Sequence, residues 1–227
     1  MSRRLTAAVG AVLVLATVGC GGKAKVSRPK PSAPAPVTNA SPFNLEASDL
    51  PAGWTVVLAS GGSTAGASPV TAALFSCLHL PISQRRELSD VASDTFGAGQ
   101  TLRAASNVTA VSPATLPGQE VAALRAPGGL PCLGLAIGRS VAAQGAGVSN
   151  ARIQAIPVPG ARTDPSVGAH YSATFTEAGK SIEATADEYV IAHGDDEITV
   201  TFTAFEAVFP AAVEQNAVQR LLGRASS

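Results

Sequence analysis

The sequence is poor in aromatic side chains and in charge, and each shortage excludes something. Aromatic residues make up 4% and charged residues 14% of the 227 residues. With so few rings, a core must be built from Ala, Val, Leu and Ile, which suffices because 46% of the chain is hydrophobic. The formal net charge is zero, which argues against nucleic acid as a partner, since binding a phosphate backbone requires a concentrated Lys and Arg surface.

Motifs that carry chemistry are also missing. The sequence has no Gly-x-Ser-x-Gly elbow, no phosphate-binding Gly-x-x-x-x-Gly-Lys-Ser/Thr loop and no helical His pair at a spacing of four. The nearest match to the elbow surrounds Ser140 and falls in a predicted helix, and His79, His170 and His193 are far apart in sequence. We therefore expect no enzyme, no cofactor and no metal site. A hydrolase that uses Ser140 or a histidine is the least favoured alternative.

The N-terminus has the pattern of a signal peptide. Arg3 and Arg4 precede the apolar run Leu5–Val18, which at about 14 residues is too short for a membrane-spanning helix of ~20 residues. Gly19 and Cys20 follow. A small residue before a cysteine at this position resembles the lipobox of bacterial lipoproteins, in which the cysteine becomes the first mature residue and its thiol carries diacylglycerol.

The resemblance covers residues 1–22 and implies a signal peptide at 1–19 and an anchor at Cys20. It departs from the family at Thr17, where leucine is usual; an ordinary secretory signal with an incidental cysteine is the alternative. Residues 20–42 are rich in Pro, Ala, Ser and Lys, which predicts an extended tether. Two acyl chains hold a protein stably on a membrane, so the predicted location is the extracytoplasmic face of the cell membrane.

Two cysteines remain beyond the predicted anchor, Cys77 and Cys132. An even remainder in an exported protein predicts a disulfide. Each cysteine lies in a predicted helix, so the bond would join two helices. The spacing matches neither a zinc site nor a redox Cys-x-x-Cys pair.

Residues 43–227 are predicted to form a single α+β domain, an antiparallel sheet with helices packed on one face. Ser68 followed by Pro69 is typical of a helix start. The predicted helices are 69–80, 117–125, 130–143 and 210–222, and strands are predicted at 94–98, 102–112 and 151–158.

The C-terminal third has the clearest pattern, a β-meander followed by an amphipathic helix. Alternation over 171–176 and 198–204 is typical of half-buried antiparallel strands. Between them, the apolar positions change from even to odd numbers, which predicts a β-bulge near 187–188. Turns are predicted at 177–180 and 193–196. In the last helix, the expected end is Gly223, and three residues are expected to face away from the sheet: Glu214, Gln215 and Arg220.

The element order, the segment DLPAGW at 49–54 and a cysteine on each of two predicted helices resemble actinobacterial cell-envelope lipoproteins. In outline the domain is also similar to extracellular sensor domains of mycobacterial serine/threonine kinases and to PsbP/Mog1-like α/β lipoproteins. The kinase sensor domains carry two disulfides as a family, whereas this chain can form one. The resemblance implies an extracytoplasmic binding domain and assigns no role to individual residues.

We therefore expect a membrane-anchored lipoprotein with a non-catalytic, sensor-like domain that binds an unidentified small molecule, lipid or protein. The Ser and Thr side chains of the C-terminal strands are the expected binding surface if no helix covers them. A lipid or glycolipid carrier of the cell envelope is the alternative, and it requires a large apolar cavity between the sheet and the helices.

Overall fold

The structure, a computed structural model, describes residues 42–60, 69–160 and 164–225. The predicted signal peptide, Cys20, Ser68 and all of the predicted tether except Pro42 lie outside these residues. The described part is an eight-stranded antiparallel sheet with four helices. The strands are β1 (Thr55–Leu58), β2 (Arg86–Ala92), β3 (Thr95–Ala98), β4 (Leu102–Ser112), β5 (Gly147–Ile156), β6 (Ser166–Glu177), β7 (Lys180–His193) and β8 (Asp196–Phe205). The helices are α1 (Pro69–Cys77), α2 (Leu116–Arg125), α3 (Gly129–Ala143) and α4 (Ala211–Ala225).

The sheet runs in the order β1-β3-β4-β8-β7-β6-β5. β2 and β3 pair with the same edge of β4, at 107–112 and 102–104 respectively. The predicted meander is β6-β7-β8, and its two hairpins turn at the predicted residues. Ala178 and Gly179 have positive φ in the first turn and Gly194 has it in the second, a conformation in which glycine has no steric cost.

The predicted bulge in β7 is wrong. Its register with β6 and with β8 is continuous through Asp187 and Glu188. The apolar residues change from even-numbered to odd-numbered positions because both faces of this end of the strand are covered. Tyr189, Val190 and Ile191 are all buried although successive side chains point to opposite faces.

Helices cover both faces of the sheet. On one face, α1, α2 and α3 pack on β6 and β7 through residues such as Leu124, Ala136 and Val190. On the other, α4 packs on β4, β7 and β8 through residues such as Val218 and Val200. The α+β prediction is confirmed, and the expected one-sided packing holds for the first three helices.

The position of α4 is fixed at its C-terminal end. Arg224 donates to both carboxylate oxygens of Asp49, at 2.9 Å for the Nη2–Oδ2 pair, and to the carbonyl oxygens of Pro42 and Asn44. The helix runs through Gly223 to Ala225, so the predicted end at Gly223 is wrong. The longer helix brings Arg224 to the N-terminal segment of the domain and holds α4 against the sheet.

Candidate functional site

Cys77 and Cys132 form a disulfide that joins α1 to α3, with the two Cα atoms 5.5 Å apart. This confirms the predicted bond. The predicted lipid attachment site, Cys20, lies outside the described residues.

The side chains considered for hydrolysis do not converge. The backbone carbonyl of Ser140 accepts a hydrogen bond from Gln144, and within the described ranges no histidine or carboxylate is hydrogen-bonded to its hydroxyl. His79 is exposed just after α1. His193 pairs with Asp164 at 3.0 Å. The geometry therefore gives no support to a nucleophile at Ser140.

The expected Ser/Thr surface is also not formed. Tyr171 of β6 pairs with Ala186 of β7, which pairs with Thr203 of β8, so these three side chains share one face. The apolar side of β6 is therefore continuous with the threonine side of β8, and Thr203 is fully buried. As a result, each face of the sheet is apolar over one half and polar over the other.

On the face covered by α4, the polar half carries a cluster of ionisable side chains. His170 of β6 and Asp187 of β7 are direct cross-strand partners, and His170 Nδ1 is hydrogen-bonded to Asp187 Oδ1. Tyr189 lies two residues further along the same face and donates to Glu214 Oε2 of α4 at 3.1 Å. The Asp187 carboxyl group lies close enough to Glu214 to raise its pKa, so two carboxyl groups lie near each other between the helix and the sheet.

Glu214 lies in the first turn of α4 and is 5% exposed. The prediction that it faces away from the sheet is therefore wrong. It shares a stripe with Ala217, Val218 and Leu221, all buried, because residues three, four and seven positions apart fall on one side of a helix. The sequence contained this signal, a carboxylate in register with the apolar stripe.

A cleft opens beside these carboxyl groups and has a volume of about 390 Å³. The residues after β5 form one wall and α4 forms the other. Its lining comprises Ile156, Pro157, Pro159, Asp187, Tyr189, Ala211, Glu214, Gln215 and Gln219. Apolar walls with a few convergent polar groups are typical of small-molecule sites. None of the described lining residues is a lysine or an arginine.

The electrostatics of the cleft oppose ionisation of Glu214. Burial, reinforced by the charge of Asp187 and the hydrogen bond to it, raises the pKa of Glu214 to about 8, against a smaller opposing effect of the Tyr189 hydrogen bond. Burial and the Glu214 carboxylate also raise the pKa of Tyr189. At neutral pH Glu214 is therefore mostly protonated.

A second charged cluster lies on the opposite face, where Arg85 is enclosed by three glutamates. Its Nη1 donates to Glu197 at 2.7 Å and to Glu120 at 3.4 Å, and its Nε donates to Glu87 at 3.3 Å. The Arg85 side chain is 2% exposed and lies 5.2 Å from the Phe75 ring centroid. The guanidinium offsets part of the charge of the three carboxyl groups in a largely buried cluster, which is a structural link between α2 and the sheet.

Burial acts on the carboxyl groups of this second cluster as well. It raises the pKa of Glu120, and the neighbouring Glu197 adds to the effect while Arg85 opposes it. Burial likewise raises the pKa of Glu188 to about 7. On the same face, Thr203 Oγ1 is buried and has no hydrogen-bond partner among the described residues.

Two further properties concern metals and membranes. Among residues 42–60, 69–160 and 164–225, no group of three or more His, Cys, Asp and Glu side chains is arranged to hold a metal ion. No single helix in these ranges has the length and hydropathy to cross a membrane. Within the same ranges, α2 and α3 taken together are long and apolar enough, but the two helices meet at an angle of 102°.

Comparison with known proteins leaves the chain without a family assignment, because no family model matches it and no curated protein matches it significantly.

Proposed function

We propose that the chain is a lipid-anchored extracytoplasmic protein whose folded domain binds a small molecule in the cleft between α4 and β7. The observation that carries the binding proposal is the cleft itself, about 390 Å³ with two carboxyl groups in its lining. Sites of roughly 300–1,000 Å³ take ligands of drug-like size. The domain is non-catalytic in this proposal, because no serine, threonine or cysteine is among the described residues that line the cleft.

The anchor rests on the sequence and on one structural feature. The Arg-Arg start, the short apolar run and Cys20 support export and acylation. The Cys77–Cys132 disulfide supports an oxidising compartment, since disulfides persist mainly outside the cytoplasm.

The cleft favours a small ligand over the lipid-carrier alternative. It is open, with carboxyl and amide groups among its lining. A neighbouring cleft of about 310 Å³, lined in part by Arg125 and Val167, is also open. The described interface between the sheet and α1–α3 is filled by close-packed side chains such as Leu133, Ile137 and Phe175.

Two experiments test the two parts separately. For the anchor, intact-mass measurement of the membrane-extracted chain is expected to show a diacylglyceryl mass on Cys20, with Cys20→Ser recovered in the soluble fraction. An unmodified wild-type Cys20 would refute acylation and leave the binding proposal standing.

For the cleft, a fragment library of mixed charge is screened by NMR against the full chain and against two variants on adjacent positions of α4. Gln215→Trp fills the cleft and is expected to abolish binding, whereas Asn216→Trp, an exposed position outside the lining, is expected to leave binding unchanged. Hits that are insensitive to Gln215→Trp, or no hits at all, would refute the cleft as the binding site.

A further inference from the structure

We propose that the cleft binds a ligand that carries an alkylammonium or amidinium group, which lies between the carboxyl groups of Asp187 and Glu214. This inference rests on the proposed function, since it names the ligand class of the same cleft.

The described residues around the cleft are acidic or neutral apart from His170. The ionisable groups that face the carboxyl pair are His170 from β6, Tyr189 from β7 and the two carboxyl groups themselves. β8 presents Phe202 opposite Asp187. From β5, the partner of His170 is the neutral Gln154. No described lysine or arginine lines the cleft, so a ligand cation would meet two acceptor groups and no like charge except a protonated His170.

The rest of the lining suits the carbon skeleton of such a ligand. Ile156, Pro157 and Pro159 form an apolar wall and Ala211 lies across from it, while Gln215 and Gln219 add amide groups. An amine with an apolar body therefore buries its carbon atoms against this wall while its nitrogen donates to the carboxylates. Charge-assisted hydrogen bonds of this kind are about twice as strong as neutral ones.

The proton balance gives the inference a measurable signature. A bound cation favours the ionised form of Glu214, whose pKa is about 8 in the free protein, so binding releases the Glu214 proton to solvent. At pH 7 close to one proton is released per ligand, and the apparent affinity rises roughly 50-fold between pH 6 and pH 8. A neutral hydrogen-bond acceptor or an anion gives the opposite sign, because it binds the protonated pair best.

The test uses three probes of one shape: cyclohexylmethylamine, cyclohexylmethanol and cyclohexanecarboxylate. Each is titrated into the full chain by calorimetry at pH 6, 7, 8 and 9. The amine titration is repeated at pH 7 in phosphate and in Tris, whose different ionisation enthalpies report proton release without any variant. The expected result is amine binding that strengthens with pH and releases a proton, with no measurable binding of the carboxylate.

Two variants show whether Glu214 is responsible. Glu214→Gln retains size and hydrogen bonding, and it is expected to weaken the amine at pH 8 by 10-fold or more and to remove most of the pH dependence. Glu183→Gln makes the same charge change at an exposed position of β7 outside the cleft lining and is expected to behave as wild type. Near-UV circular dichroism verifies that both variants are folded.

Each adverse outcome has one meaning. If the alcohol or the carboxylate binds at the cleft as tightly as the amine, or if amine binding releases no proton, the cationic ligand class is refuted and the cleft remains a binding site. If no probe and no library fragment of any charge binds there, both the ligand class and the cleft are refuted.

Discussion

The substitution Glu214→Gln tests the carboxyl pair through stability alone, without any ligand. The pKa of Glu214 is about 8 in the folded protein against an ordinary 4.5, so the fold holds this proton more tightly than the unfolded chain does. The stabilisation is fully present below pH 4.5 and is lost as the pH rises through 8. Glutamine resembles the protonated carboxyl group in shape and cannot ionise, so the variant lacks this loss.

The size of the effect follows from the same shift. At about 1.4 kcal/mol per pH unit, the full shift corresponds to an upper limit of about 5 kcal/mol. The carboxyl group adjoins an open cleft in which water screens its charge, so we expect about half of this, roughly 2 kcal/mol. Glu188 and Glu120 also have raised pKa values. They are present in both the variant and the reference, so their effect cancels in the difference between the two free energies of unfolding.

The assay is urea unfolding monitored by far-UV circular dichroism at pH 5, 7 and 9, on full chains that carry Cys20→Ser so that no acyl group affects the transition. The free energy of unfolding of Glu214→Gln is expected to match the reference at pH 5 and to exceed it by about 2 kcal/mol at pH 9. Glu183→Gln is the control with the same charge change. Parallel pH profiles for Glu214→Gln and the reference would refute the raised pKa of Glu214.

Three further changes test the framework that holds the cleft. Replacing Cys77 and Cys132 by alanine opens a link across 55 positions and is expected to cost about 4 kcal/mol of unfolding free energy; an unchanged urea midpoint would contradict this. Arg85→Ala is expected to cost about 3–5 kcal/mol of unfolding free energy, because it leaves buried glutamates without their cation. Adding Glu120→Gln should recover part of this loss in a double-mutant cycle. If the two changes in unfolding free energy simply add, Arg85 and Glu120 are not coupled. Thr203→Val removes a buried hydroxyl that has no described partner and is expected to stabilise by roughly 1 kcal/mol, so a lower melting temperature would be the contrary result.

The sequence predicted the elements that are marked by a local signal, an apolar run or a turn-forming pair. β4 begins and ends at the predicted residues, the first turn of the meander contains Ala178 and Gly179, and the second contains Gly194 beside Asp195. β1 was not predicted, because it is a four-residue edge strand whose side chains are all exposed. β2 was not predicted either, because it is also at an edge and mixes charged and apolar residues without regular alternation.

The candidate site was missed for a different reason. Alternation shows which residues of one strand lie on the same face, the odd-numbered or the even-numbered ones. It does not show which residues of a neighbouring strand lie on that face, because this depends on the register of β7 with β6 and β8. The Ser and Thr residues of β6 and β8 were therefore combined into one surface, although they lie on opposite faces. The pairing of Asp187 with Glu214 depends in addition on where α4 crosses the sheet, which Arg224 and Asp49 fix through contacts between distant parts of the chain.

β6 and β8 place their apolar residues on opposite faces of the sheet, which explains why buried carboxyl groups occur on both faces. The two clusters of carboxyl groups differ in function. A helix that crosses from the apolar to the polar half of a face needs one polar residue in its buried stripe, and this residue is Glu120 in α2 and Glu214 in α4. Glu120 lies beside both Glu197 and the Arg85 guanidinium in a largely buried interior. Glu214 lies beside Asp187 at an open cleft, and the described lining of this cleft contains no lysine or arginine. The raised pKa of Glu214 costs stability as the pH rises, and glutamine would avoid this cost. A cation from outside the chain would offset the cost at the open cleft, as Arg85 does for the glutamates around it.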